Sequence, residues 1–282
     1  MPLHLAFFRQ HHFSVTLSYD GKSIHNRQRL NLDQKTGSEA VVRKKLNLLG
    51  AELEKLRRFQ VRGTIQAKNM ALAEEAVADA ATKLPHAAML SLAADDRPFA
   101  EAKADLDLML QATAKTIDNL MQQQDYTKLK RMTAVWQFVA QLHHGTYRGL
   151  TCHAGVNYLS VSTSGEFFLC HRFTEDQRGK IGSLQTGLDP DAIAQVQKHR
   201  LTEHEPCRSC WMRGVCAGGC FHENMLAGDT AFAPDPKFCY LQDGLMSLAV
   251  KVYIALRQTA PEVIDTPTAS WRTEGDLAGK TH

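Results

Sequence analysis

The chain has 282 residues, of which 44% are hydrophobic and 22% charged, with a net charge of +3. That composition is ordinary for a globular protein and supplies apolar material for one large domain or two smaller ones. So small a charge, with no basic run interleaved with aromatics, argues against nucleic acid or an anionic membrane surface as partner.

The opening stretch MPLHLAFFRQHH has neither the basic nor the long apolar region of a signal peptide. No segment approaches the ~20 apolar residues of a membrane helix, so a cytoplasmic protein is expected. FSVTLSYDG (13–21) reads as a buried strand ended by Asp20-Gly21. A polar loop is expected next. Ser38 then caps a helix with Val42, Leu46, Leu49 and Leu53 on one face. FQVRGTIQA (59–67) is a second strand, ALAEEAVADAATKL (71–84) a second helix and HAAMLSLAA (86–94) a third strand. This β-α-β-α-β order implies parallel strands with helical crossovers.

Residues 98–144 read as mostly helical, with apolar stripes from Leu106, Met109, Leu110, Ile117, Leu120 and Met121 and a break at Gly145. YLSVSTSGEFFLC (158–170) has the pattern of a hairpin turning at Ser164-Gly165. A short helix is expected over 190–200. A last helix over 240–257 carries Leu241, Leu245, Leu248 and Val252 on one face, and the polar tail 259–282 has no periodicity, which predicts disorder.

Cysteine is the most informative residue. There is none before Cys152, and then Cys152, Cys170, Cys207, Cys210, Cys216, Cys220 and Cys239 follow. Clustering of this kind in an unsecreted chain points to metal before disulfides. Thiolates are soft ligands suited to zinc and to iron–sulfur clusters. Seven exceed one tetrahedral zinc site and fall short of two all-cysteine ones, which favours clusters. Scattered buried thiols would not group in this way. Gly218 and Gly219 would let the backbone pass close to inorganic sulfide.

The spacing Cys152-x12-Gly165-x4-Cys170, Cys207-x2-Cys210-x5-Cys216-x3-Cys220 and Cys239 resembles the SPASM domain, the auxiliary-cluster module of radical S-adenosylmethionine enzymes that modify peptides. The resemblance implies two four-iron auxiliary clusters with crossed ligation. Cys207, Cys210, Cys216 and Cys239 would hold one. Cys152, Cys170 and Cys220 would hold the other, with one iron left for substrate or an exchangeable ligand. VTLSYDGKSIHNRQR resembles the fourth barrel strand of the same superfamily, which places Ser18, Asp20, His25 and Arg29 in matching positions and marks Ser18, Asp20 and Arg29 as candidate cofactor-binding residues. VRGTI (61–65) resembles the fifth strand.

The fold class this implies is α/β, a partial (βα) barrel followed by an α+β SPASM module. Residues 1–97 would be the later part of the barrel, 98–145 a helical connection, 146–258 the cluster domain and 259–282 the tail. CHAGVNYLSVSTSGEFFLCHRF and CRSCWMRGVCAGGC look like maturases that form thioether cross-links, those of quinohemoprotein amine dehydrogenase nearest. Sulfatase-maturing relatives carry Asp after the second cysteine as a base; His171 stands there, which argues against that branch.

The radical-generating CxxxCxxC motif of the superfamily is absent. The chain alone is therefore expected not to make the adenosyl radical, S-adenosylmethionine entering only if a second polypeptide supplies the first half of the barrel. A truncated product and a degenerate homologue are the other accounts. The expected partner is a substrate peptide or protein. The alternative function is a non-catalytic, cluster-bearing peptide-binding or electron-transfer protein. His153 and His171 read as hydrogen-bond partners beside a cluster, His143-His144 as a solvated helix end, and Trp211 as packed on a cluster or in the core.

Overall fold

The computed structural model describes residues 2–56, 58–83, 88–147, 154–155, 158–174, 176–198, 205–228 and 230–265. The chain divides into two compact units. The first comprises Met1–Ala93, Ala102–His143 and Leu245–His282, and the second Ala94–Glu101 and His144–Gly244.

The chain runs α1 (Pro2–Gln10), β1 (Ser14–Ser18), α2 (Lys22–Gln28), α3 (Glu39–Glu54), β2 (Arg58–Ile65), a 3-10 turn Ala67–Leu72, α4 (Ala73–Lys83) and β3 (Ala88–Leu92). Strands β1, β2 and β3 lie side by side in that order, all parallel, with Leu17 opposite Val61 and Gly63 opposite Leu90. Each new strand joins the same growing edge, as βαβ crossovers require. In β2, Val61 and Ile65 are buried while Arg62 and Thr64 are exposed, the period-2 signature of a pleated strand. Leu46 and Leu53 of the α3 stripe pack with Tyr19, Val61 and Ala80, and Val42 and Leu49 flank them. Burying each such side chain stabilises by roughly 1.5–3 kcal/mol. Helices α5 (Phe99–Gln122), α6 (Tyr126–Arg131) and α7 (Thr133–His144) follow. The expected α5 stripe is buried at Leu106, Met109, Ile117 and Leu120.

The polar loop expected after β1 begins instead with the helix α2. Gly21, at φ 90°, turns the chain out of the strand, and Lys22 N–H donates to Asp79 Oδ2 at 3.1 Å. An added Cβ at Gly21 would come within 2.8 Å of Ala76 Cβ, so this turn needs glycine on both counts.

In the second unit, β4 (Ser160–Val161), β5 (Glu166–Phe168), β6 (Lys180–Ser183) and β7 (Gly187–Leu188) form an antiparallel sheet in chain order. The β4–β5 hairpin is the one its sequence predicts. Next come α8 (Pro190–Lys198), α9 (Arg213–Cys216), α10 (Phe221–Gly228) and α11 (Pro236–Thr259). Phe168, Phe173, Ile181, Val196 and Phe221 form the core here, together with Cys170 and Cys207.

Helix α11 begins at Pro236 rather than 240. Asp235 caps it by accepting from Lys237 N–H at 2.8 Å, and proline sits at its first position. The predicted tail also holds structure at its start. Helix α12 (Pro261–Asp265) buries Val263 and Ile264, and His143, at the end of α7, reaches Asp265 at 3.3 Å. Residues 266–282 lie outside the described set. No helix among the described residues is long and apolar enough to cross a membrane.

Candidate metal centre

Of the seven cysteines, Cys152 lies outside the described residues, as does His153. The other six are free thiols: Cys170 and Cys207 buried, Cys210 exposed, and Cys216, Cys220 and Cys239 half-buried.

Cys207 and Cys210 share a turn in which Cys210 N–H donates to Cys207 O at 3.2 Å and Met212 N–H approaches Cys210 Sγ at 3.4 Å. Such an amide favours a thiolate at that sulfur. Cys216 ends α9, and Ala217, Gly218 and Gly219 then all take positive φ, from 61° to 96°. Cys239 lies in the first turn of α11, its N–H bonded to Asp235 O at 3.0 Å.

Asn224 joins these segments. It is fully buried on α10; its Nδ2 donates to Gly218 O at 3.3 Å and Ala231 O at 3.0 Å, and its Oδ1 accepts from Asp235 N–H at 3.0 Å. One side chain thus ties the loop between Cys216 and Cys220 to the loop that delivers Cys239. The glycine at 219 is explained by this clip: its φ is 96°, and a Cβ would crowd Asn224 Oδ1 at 3.0 Å and Phe238 Cδ1 at 3.2 Å.

Burial pushes the Cys207 thiol up to about 11, with Cys216 and Cys210 adding to the rise. Burial likewise pushes Cys239 up to about 12, with Cys216, Cys207 and Cys210 adding. Such thiols keep their protons at neutral pH until a metal displaces them. Among the described residues no three His, Cys, Asp or Glu side chains converge tightly enough for a single ion.

Cys170 precedes a 3-10 turn, His171–Phe173, anchored by the fully buried Phe173. From this turn Arg172 Nη1 reaches Cys220 Sγ at 3.3 Å and Glu223 Oε1 at 2.7 Å. His171 Nδ1 pairs with Tyr158 Oη at 3.0 Å. Trp211 packs neither in the core nor deep in a site: it is 59% exposed, and its indole N–H donates to Asp243 Oδ1 at 2.7 Å.

In the first unit, Ser18 is exposed at the end of β1. Asp20 is fully buried, and its carboxylate accepts from Arg29 Nε at 2.6 Å, Arg29 Nη2 at 3.2 Å and Thr64 N–H at 2.9 Å. That carboxylate fastens the end of β1 to β2 and to the segment after α2. Buried His25 continues the network. Asp20 N–H donates to Nδ1 at 3.3 Å, which leaves Nε2–H to donate to Ser38 Oγ at 3.1 Å, and Ser38 Oγ–H donates to Arg29 O at 3.0 Å. Burial pushes the His25 imidazole down, with Arg29 adding to the fall against the opposing pull of Asp20 and Glu39.

Beside it lies a polar group the sequence did not disclose. Tyr19 Oη bonds Asp79 Oδ2 at 2.8 Å and Glu39 Oε1 at 3.1 Å, and Arg43 bridges Tyr19, Glu39 and Asp79. Burial pushes the Tyr19 hydroxyl well above the usual phenol range, the Asp79 hydrogen bond adding to it. At Asp79 burial raises the carboxyl, but Tyr19 and Arg43 outweigh it and the group stays below its ordinary value.

No family model and no curated protein matches the chain. Among solved structures, "Native anSMEcpe with bound AdoMet" matches with a TM-score of 0.64 and 16% identity, over 90% of this chain and 71% of that one. "Native anSMEcpe with bound AdoMet and Kp18Cys peptide" gives 0.61 and 14%, over 90% and 72%. The Cp18Cys peptide complex gives 0.63 and 15%, over 90% and 72%. Over nine-tenths of its length, the chain shares the fold of the protein in these structures.

Proposed function

We propose that the chain is the auxiliary-cluster component of a radical S-adenosylmethionine/SPASM system that modifies a peptide or protein. The observation that carries this reading is the Asn224 clip, which ties the loop between Cys216 and Cys220 to the loop that delivers Cys239, in a chain with the fold of a protein solved with AdoMet and a peptide bound. Cys207, Cys210, Cys216 and Cys239 would hold one four-iron cluster. Cys170 and Cys220, joined by Cys152, would hold a second, leaving one iron for a ligand from outside the set. Such clusters, when bound, supply one-electron storage close to substrate. The chain's own part would be to give up its cysteine protons to the incoming metal, keep the thiolates in place with amide and guanidinium donors, and present the peptide to an open coordination position.

With no cysteine before Cys152, the three-cysteine radical-generating motif would come from another polypeptide segment. Both oxygens of Asp20 are engaged by Arg29 and Thr64, so of the cofactor candidates Ser18 and the partly exposed Arg29 are the ones a ligand could reach. Thioether formation is the reaction we favour, on the likeness of the cysteine segments to such maturases and on His171 in place of a carboxylate.

Paired cysteine variants test the ligand sets. C207S/C239S and C170S/C220S should each retain about half the iron and sulfide of the reconstituted wild-type chain, since each pair belongs to one four-iron set. Full iron in either double variant would refute the assignment.

A further inference from the structure

Arg172 is the one cation that contacts a candidate ligand sulfur in the hydrogen bonds described for this unit. Its Nη1 divides between Cys220 Sγ at 3.3 Å and Glu223 Oε1 at 2.7 Å, and both side chains are about a third exposed or less. Two segments are fixed by this contact. The 3-10 turn carrying Arg172 follows Cys170 directly and is pinned by Phe173, and Cys220 and Glu223 open the first turn of α10, pinned by Phe221. Arg172 therefore crosses from one described cysteine of the second set to the other.

We propose that Arg172 is a positioning residue that holds the Cys220 thiolate and raises the reduction potential of the cluster this thiolate ligates, with Glu223 opposing it. The inference rests on the cluster reading above. A cationic donor on a ligand sulfur withdraws negative charge and so favours the reduced state. Glu223 draws on the same Nη1 and adds a negative charge, so it works in the other direction. The two side chains thus form an adjustable pair whose balance sets how readily the cluster accepts an electron.

The test is a dithionite titration of the anaerobically reconstituted full chain, followed by electron paramagnetic resonance, with thermal melting as a check on folding. In R172Q the affinity of the second cluster for an electron should fall about tenfold, a shift of ~59 mV to lower potential for one electron. The first cluster should not move. E223Q should shift the second cluster upward, and R172K should fall between wild type and R172Q because it keeps charge but loses the fork. If R172Q assembles no second cluster, R172K carries the measurement and must still titrate below wild type. Unchanged midpoints, or shifts of the same sign in R172Q and E223Q, would overturn the inference while leaving the cluster reading intact. A wild-type chain that takes up no iron overturns both.

Discussion

Replacing Asn224 by alanine should loosen the metal centre without touching a cysteine. The side chain is fully buried and makes three hydrogen bonds, two of them at 3.0 Å. N224A strands Ala231 O and Asp235 N–H in the interior and removes the longer bond to Gly218 O. Each stranded buried group costs about 1–3 kcal/mol, and shallow relaxation recovers part, so roughly 2–4 kcal/mol is expected. That corresponds to about 30- to 1,000-fold in the equilibrium for local opening. Hydrogen–deuterium exchange read by mass spectrometry is the direct assay. Peptides covering 217–224 and 230–239 should exchange faster by that factor, while peptides from β1 and β2 keep wild-type rates. Iron uptake should slow in parallel, because Cys239 is delivered by the released loop. Wild-type exchange in 230–239 would refute the argument that this side chain assembles the site.

Further expectations concern both units. Gly219→Ala should destabilise the second unit by about 1–3 kcal/mol, from a φ of 96° and a Cβ pressed on Asn224 and Phe238, seen as a lower urea midpoint. Asp20→Ala removes the one carboxylate to which Arg29 and Thr64 N–H both donate; with Arg29 partly exposed, about 2–4 kcal/mol should be lost, and the melting temperature should fall. His25 gives a pH dependence of definite sign. Its folded-state affinity for a proton is below the ordinary value near 6.5, so the unfolded chain binds the proton first as pH falls. The stability tied to neutral His25 is fully present above about 6.5 and is lost as pH drops toward the folded value. The melting temperature of wild type should fall more steeply than that of H25Q between pH 7 and 5, and parallel curves would contradict it.

How far the sequence reveals this protein depends on the range of the interactions involved. The β-α-β-α-β order and the α3 and α5 stripes follow from periodicity, which is local, and the hairpin follows from Ser164-Gly165. KSIHNRQ carries no apolar stripe. It forms α2 because Gly21 turns the chain and Asp79, far along the sequence, holds Lys22 N–H. Asp235-Pro236 is a legible helix start that a reading based on apolar spacing alone passes over. Asp20 looked like either a turn residue or a cofactor ligand. Arg29 is only nine residues away, but the pairing needs Thr64 on the neighbouring strand to fix its geometry. The cysteine spacing leads to an expected division of the ligands into two sets. It did not reveal Asn224 and Arg172, whose roles exist only once three separated segments meet.

The most direct test of the account is the metal and sulfide content of the chain purified without oxygen, read beside its visible spectrum. The account predicts about eight irons and eight sulfides per chain, with the broad visible absorption of thiolate-bound clusters. A colourless protein holding one or two zinc ions on the same cysteines would contradict it.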